Sequence, residues 1–344
     1  MNRVTPFLLS VAVFLSACSS SGTSGFVETP NSPPPPALPP PPPPVGGTND
    51  LVISSVNAKP AARAAFASTM ASIETGGTVG GGGIASSGSG NLQKMQFEQT
   101  MTHLAARGAL QVALGPLQEP CLQSGSMTIS GDLATGIPYS VGDTINVDAA
   151  DCNDGLGEVI NGRMEITITA YTGDILFGPT YLLGMDVLLV NYEVATAADT
   201  ILSNGDSSVT VDTTGDPLVA MSISGVSLTT VSNAGTEVVS DFQTAQTVDT
   251  SVVAGSEPYT LASSGTIDST QLGGVIVYTA PVTFQGAGPG YPFAGEMLIT
   301  GANGATIRLI ALTDTTVRIE IDADGDGVVD VGGTEDTTWD DIAL

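Results

Sequence analysis

From about Gly125 to the C-terminus the helical period gives way to segments in which apolar side chains recur at every second position, and no other feature constrains the fold as strongly. Met164, Ile166 and Ile168 alternate with Arg163, Glu165 and Thr167, and Val317, Ile319 and Ile321 alternate with Thr316, Arg318 and Glu320. Val209 and Val211 sit among polar neighbours in the same way. Successive side chains of a strand point to opposite faces, so this period builds sheet with one buried and one wet face. Further strands are predicted at Thr144–Asp148, Met185–Val194, Leu218–Val231, Glu237–Val248, Tyr259–Ser263, Val275–Phe284, Met297–Thr300 and Thr306–Leu312. Gly-, Asn- and Asp-rich stretches between them read as turns, among them Ser203-Asn204-Gly205-Asp206 and Ala302-Asn303-Gly304. In Leu218–Val231 the apolar phase changes around Gly225, from Val219, Met221 and Ile223 to Val226 and Leu228, which predicts a bulge or two shorter strands. The expected fold is mainly β: an antiparallel meander forming a sandwich, partial barrel or curved sheet, preceded by one or two helices and a disordered tether.

Charge narrows the function. The chain of 344 residues has Lys+Arg 8 against Asp+Glu 35, a formal net charge of −27. Between Met164 and Ile307 there are fourteen Asp and Glu and no Lys or Arg. Nucleic-acid binding through a basic surface is excluded, because phosphate neutralisation needs clustered cations. Aromatic residues make up 5% of the chain, too few for the two girdles of a membrane-embedded barrel.

Ahead of the β region, Ala61–Ile73 follows Pro60 and carries Phe66, Met70 and Ile73 at helical spacing. A second amphipathic helix is predicted over Leu92–Leu114, and Thr75–Gly90 between them reads as a Gly/Ser spacer. No Gly-Lys-Ser/Thr follows the four glycines Gly80–Gly83, so a phosphate-cradling loop is rejected. The single histidine, His103, falls on the polar face of the second helix, where a solvated side chain is expected rather than a catalytic base.

Residues 1–17 have the layout of a secretion signal: Arg3, an apolar stretch from Phe7 to Leu15, then small residues. Leu15-Ser16-Ala17-Cys18 resembles the lipobox of bacterial lipoproteins. That resemblance implies acylation of the Cys18 thiol and membrane attachment through the N-terminal lipid, and Ser19 favours the outer membrane of the envelope. Residues 18–50 contain Pro33–Pro36 and Pro39–Pro44, an extended tether of about 37 Å over its proline-rich part at about 3.1 Å per residue. Residues 51–115 then form a helical and Gly-rich segment, and 116–344 the β-rich domain. With Cys18 committed to lipid, Cys121 and Cys152 remain, and a disulfide is the expected state of two thiols in an exported protein. The stretch around these two cysteines is similar to envelope lipoproteins of β-rich type, a resemblance that implies no activity.

One motif carries chemistry. Asp322, Asp324, Asp326 and Gly327 resemble a calcium loop of the DxDxDG type, with the Val328 carbonyl and Asp330 as further ligands. Two departures stand out: Gly333 occupies the position of the bidentate Glu, and a strand precedes the loop where that family has a helix. Glu335 or Asp336 are the candidates to complete the shell. The expected function is non-enzymatic: an anchored, calcium-stabilised envelope lipoprotein that is structural, adhesive or ligand-binding, with a protein, glycan or lipid partner. A carrier of an apolar ligand and a carboxylate-based hydrolase are the alternatives.

Overall fold

Fourteen strands follow one another along the chain, each hydrogen-bonded antiparallel to its sequence neighbours in a single sheet. The computed structural model describes residues 49–80, 114–133, 140–153, 158–173, 180–197, 199–253, 255–288 and 290–343. Cys18, the signal segment, the proline tether, His103 and all of the predicted helix Leu92–Leu114 except its last residue lie outside them; Leu114 itself is in a strand rather than a helix.

The first seven strands are β1 (Leu114–Pro120), β2 (Ser124–Asp132), β3 (Thr144–Asn153), β4 (Val159–Gly173), β5 (Tyr181–Ala195), β6 (Thr200–Asp212) and β7 (Leu218–Ser232). The rest are β8 (Gly235–Asp249), β9 (Pro258–Ser269), β10 (Gly274–Ala287), β11 (Ala294–Thr300), β12 (Thr306–Ala311), β13 (Thr316–Asp322) and β14 (Thr334–Thr338). Helix α1 (Ala58–Gly80) precedes the sheet and a short α2 (Asp340–Ala343) ends it. The antiparallel meander and the mainly β class are as the alternation predicts. The β region begins at Leu114 rather than at residue 116. Helix α1 runs past Ile73 through residues read as spacer, because packing of its first turns on the sheet outweighs the poor propensity of the glycines.

The Asn204-Gly205 turn is corrected. Both residues lie inside β6, which continues through them to Val209 and Val211. They belong to a crease that crosses β2 to β8. Along it Gly125, Asp151, Gly162, Asn191, Gly205 and Asp241 all have positive φ. The pairing register shifts at this level between β3 and β4, β4 and β5, β5 and β6, and β6 and β7. The asparagine before each central glycine caps the bulged residue next door. Asp151 N–H donates to Asn161 Oδ1 at 2.8 Å and Asn191 N–H to Asn204 Oδ1 at 2.7 Å. Only glycine fits at 162 and 205, where a Cβ would stand 2.0 Å from the Asn191 carbonyl oxygen and 2.2 Å from that of Ser227. The phase change in β7 is the same feature: Gly225 pairs with Phe242 and Ser227 with Ser240 in unbroken register, while Asp241 has φ 48°. A matched irregularity therefore carries one continuous strand through Gly225.

Two apolar clusters occupy the inner face. In one, Ala58, Ala61, Ala62, Ala65 and Phe66 of α1 pack on Ile276, Tyr278, Ile299, Leu309 and Ile319. The small alanines let helix and sheet approach closely. In the other, Ile129, Ile145, Ile166, Leu183, Val211 and Ile223 of β2 to β7 are nearly fully buried. Between them runs a buried polar seam. Ile223 faces Thr244 across β7 and β8, Thr244 faces Ser263 across β8 and β9, and the Ser263 hydroxyl lies 2.7 Å from that of Thr69. Thr244 is 2% exposed, yet its hydroxyl has no hydrogen-bond partner among the described residues. A desolvated hydroxyl without a partner opposes folding, so the isosteric Thr244→Val is expected to raise stability by about 1 kcal/mol. Chemical denaturation of the two proteins checks this, and a loss of stability would show the hydroxyl to be bonded.

Candidate metal centre

Strand β13 ends on Asp322, and an eleven-residue connection carries the chain to β14. The chain coils because Asp322, Asp324 and Asp326 each take a backbone N–H a few positions on. Asp322 Oδ1 accepts from Gly325 at 2.8 Å and Asp326 at 3.2 Å, and Oδ2 accepts from Gly327 at 2.8 Å. Asp324 Oδ1 accepts from Asp326 N–H at 3.2 Å, and Asp326 Oδ1 from Val328 N–H at 2.8 Å. The loop is closed at its base by Asp330 N–H on the Ile321 carbonyl and Gly333 N–H on the Asp330 carbonyl.

This coiling brings Asp322, Asp324 and Asp326 together, with one ligand oxygen from each within 4.8 Å of the others. Oxygens on opposite sides of a hard cation at about 2.4 Å stand about 4.8 Å apart, so the trio fits a shared cation. Asp322 is the buried member, at 7% exposed, and Asp324 and Asp326 are open to solvent. An ionised carboxylate has about four acceptor sites, so the N–H bonds leave lone pairs for a metal.

The other predicted ligands make contacts of their own. Asp330 is outside the trio, with its Oδ2 on Ala323 N–H at 2.9 Å. Val328 is exposed and its N–H serves Asp326. Glu335 and Asp336 are held by cations of neighbouring elements. Lys59 Nζ lies 3.7 Å from Glu335, and Arg318 Nε donates to Asp336 at 2.7 Å. The Arg318 hydrogen bond holds the Asp336 carboxyl below the ordinary carboxylate value. Cys121 and Cys152 form a disulfide, Cα to Cα 5.4 Å, joining the β1–β2 connection to β3.

Sequence reasoning missed the surroundings of the loop. Gly325 packs so tightly on the 302–304 turn that a Cβ would lie 2.6 Å from the Asn303 carbonyl oxygen. That turn is bonded in its own right to the first described residues, Ala302 N–H donating to the Leu51 carbonyl at 2.8 Å. Leu51 N–H donates to the Val275 carbonyl at 2.8 Å, and Val275 N–H to the Asn49 carbonyl at 3.0 Å. The alternation of buried Leu51 and Ile53 about exposed Val52 is the signal that would have placed this segment on the sheet. The acidic loop and the point where the chain enters the fold thus share one corner.

Fold and site together define a class: an open antiparallel β-meander with a loop between its last two strands that gathers three carboxylates at a spacing fit for a cation. No protein-family model, curated protein or solved structure matches the chain.

Proposed function

We propose that the protein is a non-enzymatic lipoprotein of the bacterial envelope, held to the outer membrane by acylated Cys18 and built to present a calcium-stabilised β-domain for adhesion, ligand binding or envelope structure. The observation that carries this reading is Leu15-Ser16-Ala17-Cys18 followed by a proline-rich spacer. Two or more acyl chains give stable attachment where a single chain is marginal. Among the described residues no helix is long and apolar enough to cross a membrane, so attachment falls to the lipid in this reading. Mass spectrometry of the protein from its native envelope tests the anchor: a diacylglyceryl Cys18 as the first residue is expected, and an unmodified chain retaining a free Cys18 thiol would sink it.

Calcium is the cation the loop suits best, since the donors it gathers are carboxylate oxygens without nitrogen or sulfur. Binding to the folded state alone adds about 2.7 kcal/mol at a concentration one hundred times the dissociation constant. Millimolar calcium is expected to raise the unfolding temperature, and Asp322→Asn, which keeps one acceptor oxygen for Gly325 and Asp326 N–H but loses the charge and the acceptor of Gly327 N–H, should abolish the rise. An equal rise in both proteins would show that the cation acts elsewhere.

A further inference from the structure

We infer that the corner of the fold carrying Val328, Val331 and Val52 docks on the surface of the bilayer that holds the lipid anchor, with lipid phosphates as its polar partner. Val331 is fully exposed, Val328 is 65% exposed and Val52 is 68% exposed. Valine is a residue of interiors, and its exposure on one loop and on the adjoining N-terminal segment gives the corner an apolar tip.

Strand alternation fixes where this tip lies. In an antiparallel meander every connection that follows an odd-numbered strand emerges at the same end of the sheet. The β9–β10, β11–β12 and β13–β14 connections therefore share an end with residues 49–51, which pair beside Val275 at the start of β10. The chain outside the structure thus arrives at this end and at this corner. The thirty residues 19–48 reach at most about 100 Å when extended, which holds the corner at millimolar effective concentration to the membrane surface. A weak docking surface is enough at such a concentration.

Charge sets the condition. Asp324 and Asp326 are exposed beside the valines and repel an anionic lipid surface when bare. A divalent cation on the trio offsets two of its three negative charges, which weakens that repulsion, and leaves coordination positions for lipid phosphate oxygens. The inference rests on the lipid-anchored, calcium-holding reading above.

The test uses the full acylated chain in vesicles of phosphatidylethanolamine and phosphatidylglycerol. A fluorophore is placed on Val331→Cys or, as control, on Val253→Cys. Val253 is 80% exposed in the β8–β9 connection, which follows an even-numbered strand and lies at the opposite end. In millimolar calcium, brominated lipid is expected to quench the label at 331 at least threefold more than the label at 253, and a chelator should remove the difference. Vesicle-bound, acylated protein quenched alike at both positions overturns the docking and leaves the anchor standing. Protein that lacks the acyl group and washes off the vesicles defeats the anchor and the docking with it. Transfer of excitation between labels at 331 without lipid assigns the tip to a second copy of the chain and also overturns the inference.

Discussion

Replacing Trp339 with alanine is expected to lower the stability of the domain by about 4 kcal/mol, the largest effect of any single side chain here. The indole is fully buried, 4.6 Å from the Phe66 ring of α1 and near Phe284 and Tyr291. Its Nε1–H is shared between the Pro292 carbonyl at 2.9 Å and the Thr313 carbonyl at 3.0 Å. Truncation therefore opens a cavity and strips two loop carbonyls of their donor at the same time. It also frees the C-terminal turn, which Lys59 and Arg63 hold to α1 through Asp341. Trp339→Phe keeps most of the ring and loses the N–H, so about half the effect or less is expected. Denaturant unfolding measures both variants, and hydrogen exchange should show α1 losing protection first. A loss below about 1 kcal/mol for the alanine variant would mean that the indole is not the plug of this end.

The second large effect is expected from the disulfide. Converting Cys121 and Cys152 together to alanine removes a crosslink spanning 31 residues, which the chain-entropy account values at about 3.5 kcal/mol. The loss should be local. Strand β1 pairs with β2 alone, and its two prolines, Pro116 and Pro120, withhold N–H groups from an already short edge. Without the crosslink, β1 and β2 should exchange their amide hydrogens well before β9 to β13. Uniform protection across the sheet, with an unchanged denaturation midpoint, would defeat this expectation.

What could be read without coordinates follows from burial on one face. The strands from β3 to β13 are legible because Ile145 and Val147, or Ile319 and Ile321, must alternate with polar neighbours when only one face is covered. The outermost strands are not. Strand β14, Thr334–Thr338, exposes nearly every residue and has no apolar phase to detect, while the prolines of β1 mimic a loop. Asn204-Gly205 misleads because the same two properties, a left-handed glycine and a side-chain amide that caps, serve a hairpin or a bulge equally well. The carboxylate trio is legible from local spacing, since a coiling loop brings alternate residues together. The engagements of Asp330, Glu335 and Asp336 are not, because they depend on Ala323, Lys59 and Arg318, whose positions the fold alone decides.

The crease through β2 to β8 limits how such a chain can change over time. Each bulged residue is accommodated by the strand beside it, as Asp151 is by Asn161 and Asn191 by Asn204. A one-residue deletion at this level in a single strand would turn every side chain beyond it to the opposite face and leave its neighbours' irregularities unanswered. Length variation should therefore gather in the hairpin tips, and any descendant that shortens one of these strands should carry a compensating change in the next.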